Sequence, residues 1–159
     1  MPRSEIDEID RRLLVSLQED ARLTTEELGL RAGLSASPCA RRVRNMETAG
    51  IIKGYVAVVD QAKVGLPISV FVSIKLERQR EEELDRFAAA VGRWPEIVDC
   101  YLMTGQRDYL LRVVVKDLPA YEAFLKQKLT RLEGVASIES SFALGQIKQS
   151  TVLPMVKEG

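Results

Sequence analysis

The sequence predicts an α+β protein in two parts, an all-helical stretch up to Gly50 and a β-α-β-β-α-β run beyond Pro67. Three observations carry this. Apolar residues before Gly50 recur at helical intervals. Runs rich in β-branched residues after Pro67 alternate with the two-residue period of a strand. Between them lies DQAKVGLP, residues 60–67, a polar bridge holding both Gly and Pro. The boundaries expected are 1–52 for the first domain, 53–67 for a strand and linker, and 68–159 for the second domain.

The first helix is announced by Ser4 with Asp7 three residues on, a capping-box spacing, and continues through Ile6, Ile9, Leu13, Leu14 and Leu17 to about Asp20. Thr24 with Glu27 makes a second box, and Leu23 and Leu28 flank it as a hydrophobic staple, so a second helix is expected over 25–32. Gly33 sits where a left-handed residue would end it. Ser35 or Ser37 then caps a third helix, with Pro38 in its first turn, where a missing N–H costs nothing.

Along that third helix Cys39, Val43 and Met46 form one apolar stripe, while Ser37, Arg41, Arg44 and Asn45 project from the other side. No acid intervenes before Glu47. A plain three-helix bundle with solvated arginines is the competing reading of this half. The brief Gly turn between helices two and three and the one-sided arginines favour a helix-turn-helix facing a DNA groove. Beyond Gly50, IIKGYVAVV (residues 51–59) is apolar and β-branched enough for a strand in the place of a wing or an interdomain strand.

In the second part, residues 68–76 alternate as a half-buried strand, with Val70, Val72 and Ile74 on one face and Phe71 on the other. An acidic helix with Leu84, Phe87, Ala88 and Val91 on one stripe stops at Gly92. Residues 97–103 and 109–115 read as strands joined by the turn Gly105–Asp108, a hairpin. Asp117 caps a helix carrying Tyr121, Phe124, Leu125, Leu129 and Leu132, which Gly134 ends, and residues 135–142 supply a fourth strand. The tail through Pro154 is expected to add a short fifth. The order β-α-β-β-α-β is that of the ferredoxin-like fold. A faint repeat agrees with its pseudo-symmetry: Val98, Cys100 and Leu102 precede Gly105-Gln106 as Ile138, Ser140 and Phe142 precede Gly145-Gln146.

Composition excludes more than it assigns. With 46% hydrophobic residues the chain can bury a core, yet no apolar run approaches the roughly 18 residues of a membrane span. The start MPRSEIDEID has no signal-peptide core, so a cytoplasmic location and no membrane partner are expected. Net charge is zero, and the first sixty residues set nine bases against ten acids, so only the local cluster at Arg41, Arg42 and Arg44 speaks for nucleic acid. Cys39 and Cys100 have no zinc spacing and read as two reduced core thiols. There is no histidine, which removes the usual general base and imidazole metal ligand, and there is no Gly-rich phosphate loop. No enzyme, metal or cofactor is expected.

The whole chain resembles the Lrp/AsnC (leucine-responsive, feast/famine) family of transcription regulators. The matching residues are Ile9-Asp10-Arg11, Leu13-Leu14, Leu17-Gln18, Gly33-Leu34-Ser35, Pro38-Cys39, Arg42-Val43-Arg44, Gly50-Ile51-Ile52 and Gly54-Tyr55. In the second half they are Gly105, Asp108-Tyr109-Leu110-Leu111, Gly134-Val135 and Gln146-Ile147-Lys148. The resemblance implies an N-terminal winged helix-turn-helix on double-stranded DNA and a ferredoxin-like domain that binds a small effector, usually an amino acid. It also implies homodimers pairing their sheets, assembled further into forms such as octamers.

A two-fold dimer presents two recognition helices to a palindromic site and so gains affinity and specificity together. On this reading the DNA-contacting residues are Ser35, Ser37, Arg41, Arg42, Arg44 and Asn45. Arg42, nearer the helix flank, is expected on phosphate, and Ser37, Arg41 and Asn45 on base edges. The resemblance places the effector where subunits meet, at Thr104, Gly105 and Asp108 in the turn and Ser141, Phe142 and Ala143 on the last strand. Asp108 would accept from an amino-acid ammonium; alternatively it caps its own hairpin turn. Thr104, Gln106-Arg107 and residues 140–144 depart from the leucine-responsive protein's pattern, so leucine, another branched-chain acid and cysteine all stay open. An architectural DNA-organising protein that senses no small molecule is the second functional reading.

Overall fold

The structure, a computed structural model, describes residues 6–155. They form two compact units: the chain up to Ala57 together with the stretch from Ile147 onward, and Val58–Gln146. The second domain is expected to run from 68 to 159; by packing, the stretch from Ile147 onward groups with the first unit.

In the first unit α1 spans Glu8–Glu19, α2 Thr25–Ala32 and α3 Ala36–Thr48. The box at the start of α1 is made by Asp7 and Asp10; Ser4 lies outside the described residues. The Thr24–Glu27 box forms as expected, and Gly33 ends α2 in the left-handed conformation at φ 76°. Ser35 is the residue before α3, with no hydrogen bond from its side chain into the helix. Leu13, Leu14, Leu28, Ala32, Cys39 and Met46 are buried together, with Val43, Ile51 and Ile52 packed on them.

Residues 51–59 form no strand, contrary to expectation, and no wing is present among the described residues. An extended segment becomes a strand only when another backbone completes its ladder, and this chain offers none there. Val56, Val58 and Val59 are accordingly exposed. The tail does not add a fifth strand either. It packs on α1: Leu153 N–H donates to Gln18 Oε1 at 2.7 Å, Gln18 Nε2 donates to the Leu153 carbonyl at 3.4 Å, and Met155 lies against the helical core.

The second unit holds β1 (Ile68–Leu76), α4 (Glu81–Val91), β2 (Ile97–Leu102), β3 (Tyr109–Val115), α5 (Leu118–Gln127) and β4 (Val135–Phe142). The sheet is antiparallel in the order β2-β3-β1-β4. That is the ferredoxin-like arrangement, with β1 and β3 central. Their alternate residues Val70, Val72, Ile74, Leu76, Tyr109, Leu111, Val113 and Val115 are buried in one core with Phe87, Val91, Tyr121, Phe124 and Leu129. Phe87 stacks on Tyr109 at 4.3 Å, and Trp94 meets Phe124 edge-on at 5.9 Å. The last helix is shorter than its apolar periodicity suggested: α5 stops at Gln127 and Leu129–Arg131 is a 3-10 turn. Of the two predicted core thiols only Cys39 is buried; Cys100, on edge strand β2, is exposed.

Candidate functional site

The recognition helix begins with the turn that delivers it. Gly33 N–H and Leu34 N–H both donate to the Gly29 carbonyl, the latter at 2.8 Å, so the chain folds back sharply on the end of α2. Gly29 itself is buried, and a Cβ there would stand 2.6 Å from the Leu34 carbonyl oxygen. The close approach of α2 to this turn thus requires glycine at 29 as well as at 33. Sequence reading named only Gly33; the internal glycine of α2 was the available signal.

On α3, Cys39 and Met46 face the core while Ser37, Arg41, Arg44 and Asn45 are exposed. Neither Arg41 nor Arg44 has an ion-pair partner among the described residues. An open groove of about 430 Å³ runs beside Arg41, lined by Ile6, Asp10, Arg41, Arg42, Asn45, Met46 and Ile51. Arg42, expected on phosphate, is bonded within the protein. Its Nη1 donates to Asp7 Oδ2 at 2.7 Å and to Asp10 Oδ1 at 2.9 Å, because the helix flank on which it lies is turned toward the start of α1. The Asp10 amide and then the Arg42 guanidinium hold the Asp7 carboxyl below the usual carboxylate range. At the far end of α3 the Tyr55 hydroxyl donates to Glu47 Oε1 at 2.8 Å; burial, and then that carboxylate, push the phenol up to about 12.

In the second unit Thr104 and Gly105 are exposed in the β2–β3 turn, Gly105 at φ 97°. Asp108, at the base of the turn, is 4% exposed. It does not cap its own turn. Oδ2 accepts from Leu76 N–H at 2.7 Å, where the β1–β4 ladder shifts register, and Oδ1 accepts from Gln79 Nε2 at 2.6 Å. Those donors are neutral, and they tie the turn to the end of β1. Sequence reading did not single out Gln79, which no local pattern marks.

Ser141 and Phe142 end β4, and Ala143 N–H donates to the Ser69 carbonyl at 3.0 Å. Phe142 pairs with Val70 at the start of β1, whereas the turn follows Leu102, opposite Tyr109 and thus near Ile74. The two sets of candidate effector residues therefore lie at opposite ends of the sheet and on opposite edge strands. A single chain does not bring them together.

Comparison with known proteins agrees with this layout. Residues 6–47 match the model of the AsnC-type helix-turn-helix domain, and residues 69–153 that of the Lrp/AsnC ligand binding domain. The Bkd operon transcriptional regulator of Pseudomonas aeruginosa is 43% identical over 96% of this chain and 99% of its own length. A transcriptional regulator of Neisseria meningitidis, solved as an L-Met complex, superposes with a TM-score of 0.88 at 39% identity, covering 93% of this chain and 96% of that one. An AsnC family regulator from Agrobacterium tumefaciens gives 0.88 at 44% identity with the same coverage of 93% and 96%. Helix-turn-helix, split βαβ sheet and full-length similarity converge: the chain belongs to the Lrp/AsnC family and is an effector-responsive, DNA-binding transcription regulator.

Proposed function

We propose that this regulator reads a two-fold related DNA site through α3, with Ser37, Arg41 and Asn45 on base edges, Arg44 beside them, and Ser35 with the first N–H groups of the helix toward phosphate. The carrying observation is that Arg41 and Arg44 are exposed on one helix face and have no ion-pair partner among the described residues. Arginine's rigid fork suits bidentate contact with guanine, each such contact being worth about 1–3 kcal/mol of discrimination. Replacing both by alanine should weaken specific binding by at least tenfold while leaving the oligomer intact, measured by titration of labelled duplex and by sedimentation. Unchanged affinity would remove the assignment. The protein has no catalytic role on this reading, and it works in the cytoplasm, where its DNA is.

The effector is an amino acid held between copies of the chain, by Thr104 and Gly105 of one, in the turn that Asp108 anchors to β1, and by Ser141, Phe142 and Ala143 of another. Their separation to opposite ends of one sheet supports a site completed by assembly. Oligomers form through the open face of the sheet, where Phe71 and Tyr101 are 38% and 57% exposed around an Arg112–Asp99 ion pair. A homodimer is the first step, and larger forms such as an octamer follow. The L-Met bound by the Neisseria relative makes methionine the first ligand to try. A thermal-shift screen of the twenty amino acids tests this, since a ligand at 100 times its Kd adds about 2.7 kcal/mol. A flat screen would instead support an architectural role with no sensing.

A further inference from the structure

We infer that Arg42 is a positioning residue of the recognition helix, and that its bridge to Asp7 and Asp10 fixes the pose in which Arg41, Arg44 and Asn45 meet the bases. The inference rests on the DNA-reading proposal above and deepens it. Its basis is a closed set of bonds. Asp7 Oδ1 accepts from the Asp10 amide at 2.8 Å, and Asp10 Oδ2 accepts from the Asp7 amide at 3.3 Å, the reciprocal cap of α1. The other oxygen of each carboxylate, Asp7 Oδ2 and Asp10 Oδ1, receives Arg42. Each of the four carboxylate oxygens thus has a donor, and one guanidinium nitrogen spans both acids.

Exposure follows the same division of labour. The Asp10 and Arg42 side chains are 15% and 29% exposed, while Arg41 and Arg44 are open to solvent. The packing makes the bridge matter. α1 meets α3 over a much shorter stretch than α1 meets α2 or α2 meets α3, so few side chains set the angle between α1 and the recognition helix. A surface ion pair contributes little stability alone. Its effect here is geometric, because misplacing a rigid recognition element by a fraction of an ångström undoes bidentate contacts. Using Arg42 on phosphate would instead strand two carboxylates beside the DNA.

Simple electrostatics and the bridge predict opposite signs for one substitution. Asp10→Asn keeps an oxygen for the cap, removes a negative charge from the DNA-facing side and takes away one of the two charged anchors of Arg42, leaving Asp7 alone to hold it. Charge alone says that binding tightens; the bridge says that it weakens. The experiment titrates the full-length protein with a duplex selected from random sequence and with a non-specific duplex of equal length, over a range of salt. Asp10→Asn, and Arg42→Lys, which keeps the charge but not the planar fork, should each lower specific affinity about tenfold and shrink the specific-to-non-specific ratio with it. The slope of log K against log salt should stay at the wild-type value.

Tighter or unchanged binding by Asp10→Asn overturns the inference. So does an Arg42→Lys protein that binds like wild type. A slope reduced by about 0.9 in Arg42→Met, the signature of one lost phosphate contact, overturns it as well. Arg41→Ala is the control: if it weakens binding while Asp10→Asn does not, the bridge alone fails. If Arg41→Ala also has no effect, the DNA-reading proposal falls and the inference with it.

Discussion

Among the described residues the first unit's core consists of six buried side chains, none aromatic, whereas the second unit's has thirteen, four of them aromatic. Small cores leave a domain near the margin of stability. The first unit offsets this with directional bonds: the Asp7–Asp10–Arg42 set, the Thr24–Glu27 box and the Gln18–Leu153 pair. The second rests on a four-stranded sheet covered by interlocking side chains. The half that reads DNA should therefore respond to pH and to small backbone changes, and the half proposed to sense the effector should respond chiefly to cavities.

The chain's one tryptophan, Trp94, packs on the second core and reports that unit alone, while far-UV ellipticity reports both. This permits the contrast to be broken at either side. The largest effects belong to Leu13→Ala and Leu111→Ala, both at fully buried positions, each costing about 2–5 kcal/mol. In the six-residue core that loss should unfold the helices and abolish DNA binding while the Trp94 transition stays in place. In the larger core it should lower the Trp94 midpoint but leave a folded sheet. If Leu13→Ala shifts Trp94 as far as Leu111→Ala does, the units do not unfold separately.

Next in size come the glycines of the turn. Gly29→Ala forces a Cβ to 2.6 Å from a backbone carbonyl that cannot swing away, an overpacking of about 1–3 kcal/mol. Gly33→Ala meets nothing within 4 Å and bears only the left-handed φ of 76°, about 1 kcal/mol. Urea midpoints followed by ellipticity should rank Gly29→Ala below Gly33→Ala, with Trp94 unmoved in both. The reverse order would mean that the turn relaxes around a new methyl group.

The smallest effect is acid sensitivity. Asp7 is held low by the Asp10 amide and then Arg42, and Glu27 by the Thr24 amide and hydroxyl. Carboxyls with a lowered folded value add stability that is complete above the ordinary carboxylate range and is lost as pH falls through the lowered values, below about pH 4. Helical ellipticity should fade in that window, and Arg42→Met should flatten the slope without altering the Trp94 signal. In the second unit burial pushes Glu96 up, but Lys128 at 2.6 Å prevails and lowers it, so some acid loss is expected there in both proteins alike. An Arg42→Met protein with an unchanged acid slope would separate the bridge from the pH response.

Where structure depends on neighbours along the chain, the sequence was readable. The limits of α2 and β1 come out residue for residue, since a cap, a left-handed glycine and a two-residue alternation are local signals. The errors share a different cause. Residues 51–59 have the composition of a strand but lack a ladder partner in the chain. Cys100 alternates correctly yet sits on an edge strand that the helices leave uncovered. The bonds of Arg42 to two aspartates were likewise not legible, because only the path of α1 brings those carboxylates to it. The helix start was read from Ser4 with Asp7, so neither Asp10's part in the cap nor the second use of both aspartates was legible. The candidate effector residues were named from resemblance, and nothing local could say that they lie at opposite ends of one sheet.

The return of residues 147–155 to α1 has a consequence for how the protein is made. A ribosome delivers the three helices first, and a nascent chain folds broadly in the order in which it emerges. Yet the segment that supplies Leu153 and Met155 to the helical unit arrives only after the entire sheet has been synthesised. The helical unit is begun first and finished last, so a nascent chain does not close the packing on α1 before the second unit has been made.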